Sequence, residues 1–160
     1  MRVDFTLNSK PVSVLAGPTQ TLLELLREDL GLLSLKNGCN TGDCGVCTVL
    51  LDGQAVRSCL TLVPTVEGRS VETLEALGGP GRLHPVQQAF LDSWATQCGY
   101  CTPGMILTVK AFLDHNPNPS REQITEALSG NLCRCTGYVK IIEAVERAAR
   151  MMAGRDAHVG

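Results

Sequence analysis

Apolar and polar residues alternate with a period of two at the start of the chain, which is the pattern of half-buried strands. Residues 2–7 and 11–15 place apolar side chains at every second position, and the turn-forming residues Asn8 and Ser9 lie between them. Because successive side chains on a strand point to opposite faces, each segment can bury one face against a core. We therefore predict that a β-hairpin opens the chain.

One short helix and more strands are predicted to complete the first half. Thr21 and Glu24 have the spacing of a capping box, and the leucines that follow Thr21 predict a short helix packed on the sheet. Three further strands are predicted at residues 47–51, 54–60 and 70–73, the first two joined by a type I′ turn at Asp52-Gly53. The N-terminal half is thus expected to be a mixed sheet with one helix.

The second half of the chain has the apolar spacing of helices. This spacing occurs in four segments, residues 85–94, 103–115, 120–129 and 137–152. Thr102 is predicted to cap the second helix with Pro103 at its first position, and Ser120 with Gln123 forms another capping box. Four such helices predict a small bundle, and the whole chain an α+β fold.

A glycine-rich segment, residues 77–81, separates the two patterns. We therefore predict two domains, residues 1–77 and residues 82–160. Each alone would bury only roughly 60% of the surface exposed by its unfolded chain, so a metal centre in each would help to stabilise it.

The eight cysteines form two groups of four with none left over. They are Cys39, Cys44, Cys47 and Cys59, the first quartet, and Cys98, Cys101, Cys133 and Cys135, the second quartet. The first quartet reads C-x4-C-x2-C, with its fourth cysteine after eleven intervening residues, which is typical of plant-type [2Fe-2S] sites. Gly38, Gly42 and Gly45 would let the loop take positive φ angles or bring N–H groups up to sulfur.

The second quartet pairs a C-x2-C with a C-x-C. Both pairs lie just before predicted helices, whose free N–H groups and positive dipole ends suit an anionic thiolate-bound cluster. Zinc is an alternative for both quartets, but structural zinc sites typically use two C-x2-4-C pairs. A second alternative is that Cys98 and Cys101 form a dithiol redox motif. Such a motif needs a βαβ context, which the predicted helices around it do not offer.

Composition and charge exclude several functions. The chain has 160 residues, 44% hydrophobic and 19% charged, and its formal net charge of −2 is not basic enough for nucleic acid. We find no signal-peptide pattern and no apolar run of membrane-spanning length, so the cytoplasm is expected. There, cysteines favour metal or redox chemistry over a disulfide scaffold. No nucleophile or acid–base constellation stands out, so the chain is not expected to catalyse substrate chemistry alone.

Three motifs resemble one known family closely. The stretches LKNGCNTGDCGVCTVLLDG, QCGYCTPGM and GNLCRCTGY are similar to those of the iron–sulfur subunit of the xanthine oxidase family of molybdenum hydroxylases, in its bacterial three-subunit form. The similarity extends over roughly residues 2–153. It implies a β-grasp, plant-type ferredoxin-like N-terminal domain and a C-terminal four-helix bundle, each with one [2Fe-2S] cluster.

The resemblance also implies partners and a role. The second quartet's cluster would lie next to the molybdopterin of a large subunit, with Gln97 and Cys135 nearest to it. The first quartet's cluster would face the FAD of a medium subunit, with residues 42–45 on that side. The chain would be the non-catalytic electron-relay subunit of an oxidoreductase, in a dimer of heterotrimers. Two clusters of charge about −2 would take the chain's formal charge from −2 to about −6.

A freestanding ferredoxin-like carrier or an iron–sulfur sensor is the alternative in a different functional class. A diffusing carrier needs one exposed cluster and no docking domain, so the second, helix-bounded quartet favours a fixed relay within a complex.

Other conspicuous side chains are expected to be structural. His84, His115 and His158 are far apart in sequence and are predicted to be surface or capping residues rather than ligands. Phe90 and Trp94 share a predicted helix face and are expected to pack in the core or an interface. For Arg134, between two cysteines of the second quartet, charge compensation and simple solvation are equally open.

Overall fold

A computed structural model describes residues 1–79 and 81–154. The strands are β1 (Arg2–Leu7), β2 (Lys10–Leu15), β3 (Thr48–Leu51), β4 (Gln54–Arg57), β5 (Ser70–Glu72), β6 (Gly78–Gly79) and β7 (Arg82–Leu83). The α-helices are α1 (Leu22–Glu24), α2 (Pro85–Asp92), α3 (Thr102–His115), α4 (Arg121–Leu128) and α5 (Val139–Met152). The predicted α+β class, with a β-grasp, ferredoxin-like part and a four-helix part, is confirmed.

The N-terminal half forms the predicted mixed sheet, with strand order β2-β1-β5-β3-β4. β1 and β5 pair in parallel, whereas β1–β2, β3–β4 and β3–β5 are antiparallel. Thr21 and Glu24 form the predicted capping box at the start of α1. A π-helical turn, Leu25–Asp29, continues α1 and buries Leu25 and Leu26.

The β3–β4 hairpin differs from prediction at its far end. Asp52 and Gly53 both have positive φ angles, 51° and 80°, as the type I′ turn requires. The returning strand ends at Arg57, however, and Cys59 lies in the turn that follows it. The strand ends there because the Leu60 N–H bonds to the Arg57 carbonyl oxygen, which closes a turn.

Three helix ends also differ from prediction. α2 stops at Asp92 rather than 94, because Trp94 takes a positive φ of 55°. Cys101 is the N-cap of α3, so Thr102 is its first helical residue and not its cap. α5 begins at Val139 rather than 137, after Tyr138 in the left-handed region. The predicted capping box of Ser120 with Gln123 is present.

Two hydrophobic cores meet across β3. One core lies between the sheet and α1, and the other between helices α2 to α5. Val49 and Leu51 belong to the first core, and Leu50, on the opposite face of β3, belongs to the second. Because β3 is buried on both faces, its apolar run Val49-Leu50-Leu51 does not alternate.

The predicted linker is partly structured. Leu77 is buried, and β6 and β7 form a two-residue ribbon. Pro80 and residues 155–160, which include His158, lie outside the described residues. The domain boundaries at residues 77 and 82 stay a prediction. Among the described residues, none of the helices combines the length and apolar character needed to cross a bilayer.

His84 and Phe90 have the structural roles expected of them, whereas Trp94 does not pack in the core of this chain. His84 is the N-cap of α2. Phe90 is buried in the helical core, but Trp94 is 84% exposed and lies beyond the end of the helix. The expectation that Trp94 packs in the core is therefore wrong, and its packing in an interface stays a prediction.

Candidate metal centres

The first quartet lies in the loop between the π-helical turn and β3, together with the turn after β4. Arg27 supports the approach to this loop by donating to the carbonyl oxygens of Leu33 and Leu35. Within the loop, the backbone N–H groups of Thr41 and Cys44 point at the Cys39 sulfur, at 3.4 and 3.5 Å from N to Sγ. The loop thus folds around Cys39 and directs hydrogen-bond donors at sulfur.

Electrostatics differ among the thiols of the first quartet. Hydrogen bonds from the Thr41 side chain, and then from Cys44, lower the pKa of Cys39 to about 6. Burial raises the pKa of Cys44. Burial and a hydrogen bond with Cys47 raise the pKa of Cys59 to about 11, although the Gly42 backbone opposes this. All four thiols of the first quartet thus influence one another.

The second quartet lies at the N-terminal side of α3 and in the loop between α4 and α5. The Sγ atoms of Cys98 and Cys135 are 3.4 Å apart. Burial and a hydrogen bond with Cys133 raise the pKa of Cys101 to about 12. This quartet is therefore organised as two pairs, Cys98 with Cys135 and Cys101 with Cys133.

Hydrogen bonds tune the second quartet as well. The Thr136 hydroxyl group donates to the Cys133 sulfur at 3.1 Å. Burial raises the pKa of Cys133, but the Thr136 side chain and backbone outweigh it, so the net shift is downward. The Tyr100 backbone lowers the pKa of Cys98, whereas the hydrogen bond with Cys98 raises that of Cys135. Cys98 and Cys135 are exposed.

The donor set fits a two-iron cluster at each quartet. Each site gathers four sulfurs, with N–H donors directed at the Cys39 sulfur and an O–H donor at the Cys133 sulfur, as suits thiolate-bound clusters. In the described part of the chain, no three His, Cys, Asp or Glu side chains are arranged to hold a single metal ion. A Cβ at Gly38 would lie 2.8 Å from the Cys44 sulfur, so the backbone passes so close to this thiol that only glycine fits at position 38.

Other predicted site residues fall into different environments. Gln97 is exposed and immediately precedes Cys98. Arg134 is exposed between Cys133 and Cys135. Residues 42–45 do not share one outward face, because Gly45 is buried against Gly130 and Asn131 of the helical half. The expectation that the whole 42–45 loop faces a partner is therefore wrong for Gly45.

Several contacts between the two sites, and one set within the second site, were not predicted. Arg57 donates to the Gly130 carbonyl oxygen at 2.6 Å. The Tyr100 hydroxyl donates to the Asn37 carbonyl oxygen at 2.7 Å. The Tyr138 hydroxyl accepts from the Cys133 N–H at 2.8 Å and donates to the Asn131 carbonyl oxygen at 2.9 Å. Tyr138 and Asn131 belong to the motif GNLCRCTGY, but nothing in the local pattern marks Arg57.

Comparison with known proteins settles the family. Two family profiles match the chain: 2Fe-2S iron-sulfur cluster binding domain over residues 5–74, and [2Fe-2S] binding domain over residues 73–146. The nicotinate dehydrogenase small FeS subunit of Eubacterium barkeri is 50% identical over 151 residues, covering 94% of this chain and 96% of the relative. The xanthine dehydrogenase iron-sulfur-binding subunit of Escherichia coli is 49% identical over 146 residues, covering 89% and 91%. The chain belongs to the iron–sulfur subunits of the xanthine oxidase family.

Solved structures of this family have the same fold. Quinoline 2-oxidoreductase from Pseudomonas putida matches with a TM-score of 0.91 and 46% identity, over 99% of this chain and 98% of that one. The aldehyde oxidoreductase from Desulfovibrio desulfuricans matches with a TM-score of 0.94 and 43% identity. That match covers 98% of this chain but only 18% of the oxidoreductase chain. The same unit therefore exists both as a separate subunit and as part of a longer oxidoreductase chain.

Proposed function

We propose that this chain is the electron-relay subunit of a molybdenum hydroxylase, with one [2Fe-2S] cluster on each cysteine quartet. The observation that carries the proposal is the gathering of both quartets, each with hydrogen-bond donors directed at sulfur, in one chain. The clusters, when bound, would supply one-electron transfer between a molybdopterin site on a large subunit and FAD on a medium subunit.

The residues of this chain would hold and tune the clusters. Thr41 and Cys44 N–H groups would stabilise the thiolate of Cys39, and the Thr136 hydroxyl would do so for Cys133. Burial of Cys47 and Cys59 would keep water from their side of the first cluster. The chain itself would bind no substrate, because substrate chemistry belongs to the large subunit.

Exposed apolar side chains beside both quartets support the proposal that partner subunits bind there. Leu60, next to Cys59, is 60% exposed, and Leu132, next to Cys133, is 55% exposed. Trp94 lies in the segment that leads to Gln97 and Cys98. Apolar side chains of this size gathered at a functional site are typical of surfaces that a partner covers. We propose that the large subunit covers the second quartet and the medium subunit covers the first, in a cytoplasmic dimer of heterotrimers.

Two substitutions test this orientation in the assembled enzyme. Gln97→Ala removes a polar partner from the pterin side, at a cost of about 1–3 kcal/mol if a buried group is left unpaired. Leu60→Glu instead places a negative charge beside the first quartet, on its exposed side. We expect Gln97→Ala to slow cluster reduction by substrate and Leu60→Glu to slow electron exchange with the flavin.

The two half-reactions are followed separately by the visible absorption of the clusters. Each variant is the control for the other, because a general folding defect would slow both half-reactions. If Gln97→Ala impaired only the flavin-side half-reaction, with both partner subunits bound, the proposed orientation would be reversed.

A further inference from the structure

The two cysteine loops contact each other directly through Gly45 and Asn131. The Asn131 side chain donates from Nδ2 to the Gly45 carbonyl oxygen at 3.3 Å. Next to this contact, the Leu132 N–H donates to the Cys44 carbonyl oxygen at 2.9 Å. Because Cys44 belongs to the first quartet and Leu132 precedes Cys133 of the second, this hydrogen bond links a cysteine of one site to the neighbour of a cysteine of the other.

Asn131 is an unusual residue to bury at this place. It is only 2% exposed, and its Oδ1 atom has no hydrogen-bond partner among the described residues. An apolar side chain of the same shape would avoid burying an unpaired oxygen. The Gly45 carbonyl oxygen also accepts from the N–H and hydroxyl group of Thr48, so it does not need Asn131 to be satisfied. The hydrogen-bonding needs of the Gly45 carbonyl group therefore do not explain why an amide side chain is buried at position 131.

The surrounding contacts hold the same two loops at close range. Gly104 of α3 lies so near Gly45 that a Cβ would overlap the Gly45 carbonyl oxygen. Arg57 holds the adjacent Gly130 carbonyl oxygen, and Tyr138 holds the Asn131 carbonyl oxygen. Asn131 is thus fixed by its backbone while its side chain reaches across to the other loop. Its side chain is the contact that joins residue 131 to the Gly45 carbonyl oxygen.

We propose that Asn131 is a positioning residue for electron transfer between the two clusters, an inference that rests on the proposed function. Asn131 fixes the Gly45 loop against residues 131–133, so that the Cys44–Leu132 hydrogen bond forms the connection between the sites. The second quartet would hold the cluster that is oxidised and the first quartet the cluster that is reduced, and the two clusters would supply the transfer of one electron. No bond forms or breaks. The reductant would be the organic substrate oxidised on the proposed large subunit.

The test compares variants in the assembled enzyme, with both clusters fully reduced, by electron paramagnetic resonance. Asn131→Leu removes the cross-loop hydrogen bond while keeping the side-chain shape. Gly104→Ala keeps Asn131 but adds a Cβ that displaces the Gly45 carbonyl oxygen from the Asn131 amide. It is the second test of the proposal if Asn131→Leu fails to fold. Thr108→Val is the matched control, because Thr108 is also buried with an unpaired Oγ1 atom.

We expect the wild type and Thr108→Val to show magnetic splitting between the two reduced clusters. Asn131→Leu should lose this splitting while keeping both individual signals and full iron content, and Gly104→Ala should do the same. Unchanged splitting would overturn the proposal, and so would loss of iron from either site, since Asn131 would then hold one site together rather than relate two. Loss of splitting in Thr108→Val would overturn it as well. A wild type without two signals would instead refute the proposed function.

Discussion

At the scale of single residues, Trp94 has a backbone conformation that tryptophan rarely adopts. The Ala95 N–H bonds to the Phe90 carbonyl oxygen and the Trp94 N–H to that of Leu91, which is a Schellman motif with Trp94 at the left-handed position. Glycine normally occupies this position because a Cβ is disfavoured there. The strained backbone and the 84% exposure of the indole favour the expectation that Trp94 packs in an interface with a partner subunit.

Substituting Trp94 should therefore separate stability from assembly. We expect Trp94→Gly to be more stable than Trp94→Ala by about 1 kcal/mol, because only glycine relieves the left-handed backbone. Both variants should bind the partner subunits more weakly than the wild type. Thermal unfolding measures the first effect and subunit co-purification the second. Equal stability of the two variants, or undiminished assembly, would contradict this interpretation.

His84 provides a second test at the residue scale, through pH. Its Nδ1 atom accepts the Val86 N–H at 3.2 Å, a hydrogen bond that a protonated imidazole loses. Burial, and then the charge of Lys110, lower the pKa of His84, whereas Asp114 opposes the shift. Because the folded-state pKa lies below the unfolded one, the unfolded chain binds the proton first as pH falls. The stability that neutral His84 contributes is therefore fully present well above pH 6.5 and is lost as the pH falls below that value.

His84→Asn should remove this dependence, because asparagine caps a helix without titrating. We expect the melting temperature of the wild type to fall more than that of His84→Asn between pH 7.5 and pH 5.5. His84→Ala should cost about 0.5–2 kcal/mol at pH 7.5, since the cap is lost. Parallel pH profiles for the wild type and His84→Asn would show that His84 does not titrate in this range.

At the scale of elements, β3 joins the two cores. Leu50 is fully buried and faces the helical core, whereas Leu60 of the following turn is mostly exposed. We expect Leu50→Ala to reduce the free energy of unfolding by about 2–5 kcal/mol, through lost transfer energy and a cavity. Leu60→Ala is the control and should change it by less than about 0.5 kcal/mol. Denaturant unfolding of the isolated, iron-loaded chain measures both, and similar losses in the two variants would contradict this packing.

Elements defined by neighbouring residues were predictable from the sequence. The opening hairpin, the Asp52-Gly53 turn and both capping boxes depend on residues within a few positions of one another. The end of β4 was not predictable, because no proline or glycine marks the turn in which the Leu60 N–H bonds to the Arg57 carbonyl oxygen. The end of α2 was not predictable either, since helical periodicity continues through Trp94 while its backbone does not.

At the scale of the whole molecule, spacing predicted which cysteines gather, but not how the two sites meet. In the first quartet, the turn after β4 brings Cys59 to the compact motif of the other three cysteines. In the second quartet, the helices bring the Cys133 and Cys135 pair to the Cys98 and Cys101 pair. The Asn131–Gly45 contact joins residues 86 positions apart, so no local pattern announces it. The misassigned direction of Gly45 has the same cause, because the helical half covers it from a distance in sequence.

The most direct test of the account is the electron paramagnetic resonance spectrum of the reduced complex, recorded for the wild type, Cys47→Ser and Cys98→Ser. The wild type should contain about four irons per chain and show two distinguishable signals, because the hydrogen bonds to sulfur and the burial differ between the quartets. Cys47→Ser should perturb one signal and Cys98→Ser the other. Stoichiometric zinc in place of iron would contradict the account. So would the loss of both signals on either substitution, with the chain still folded and assembled.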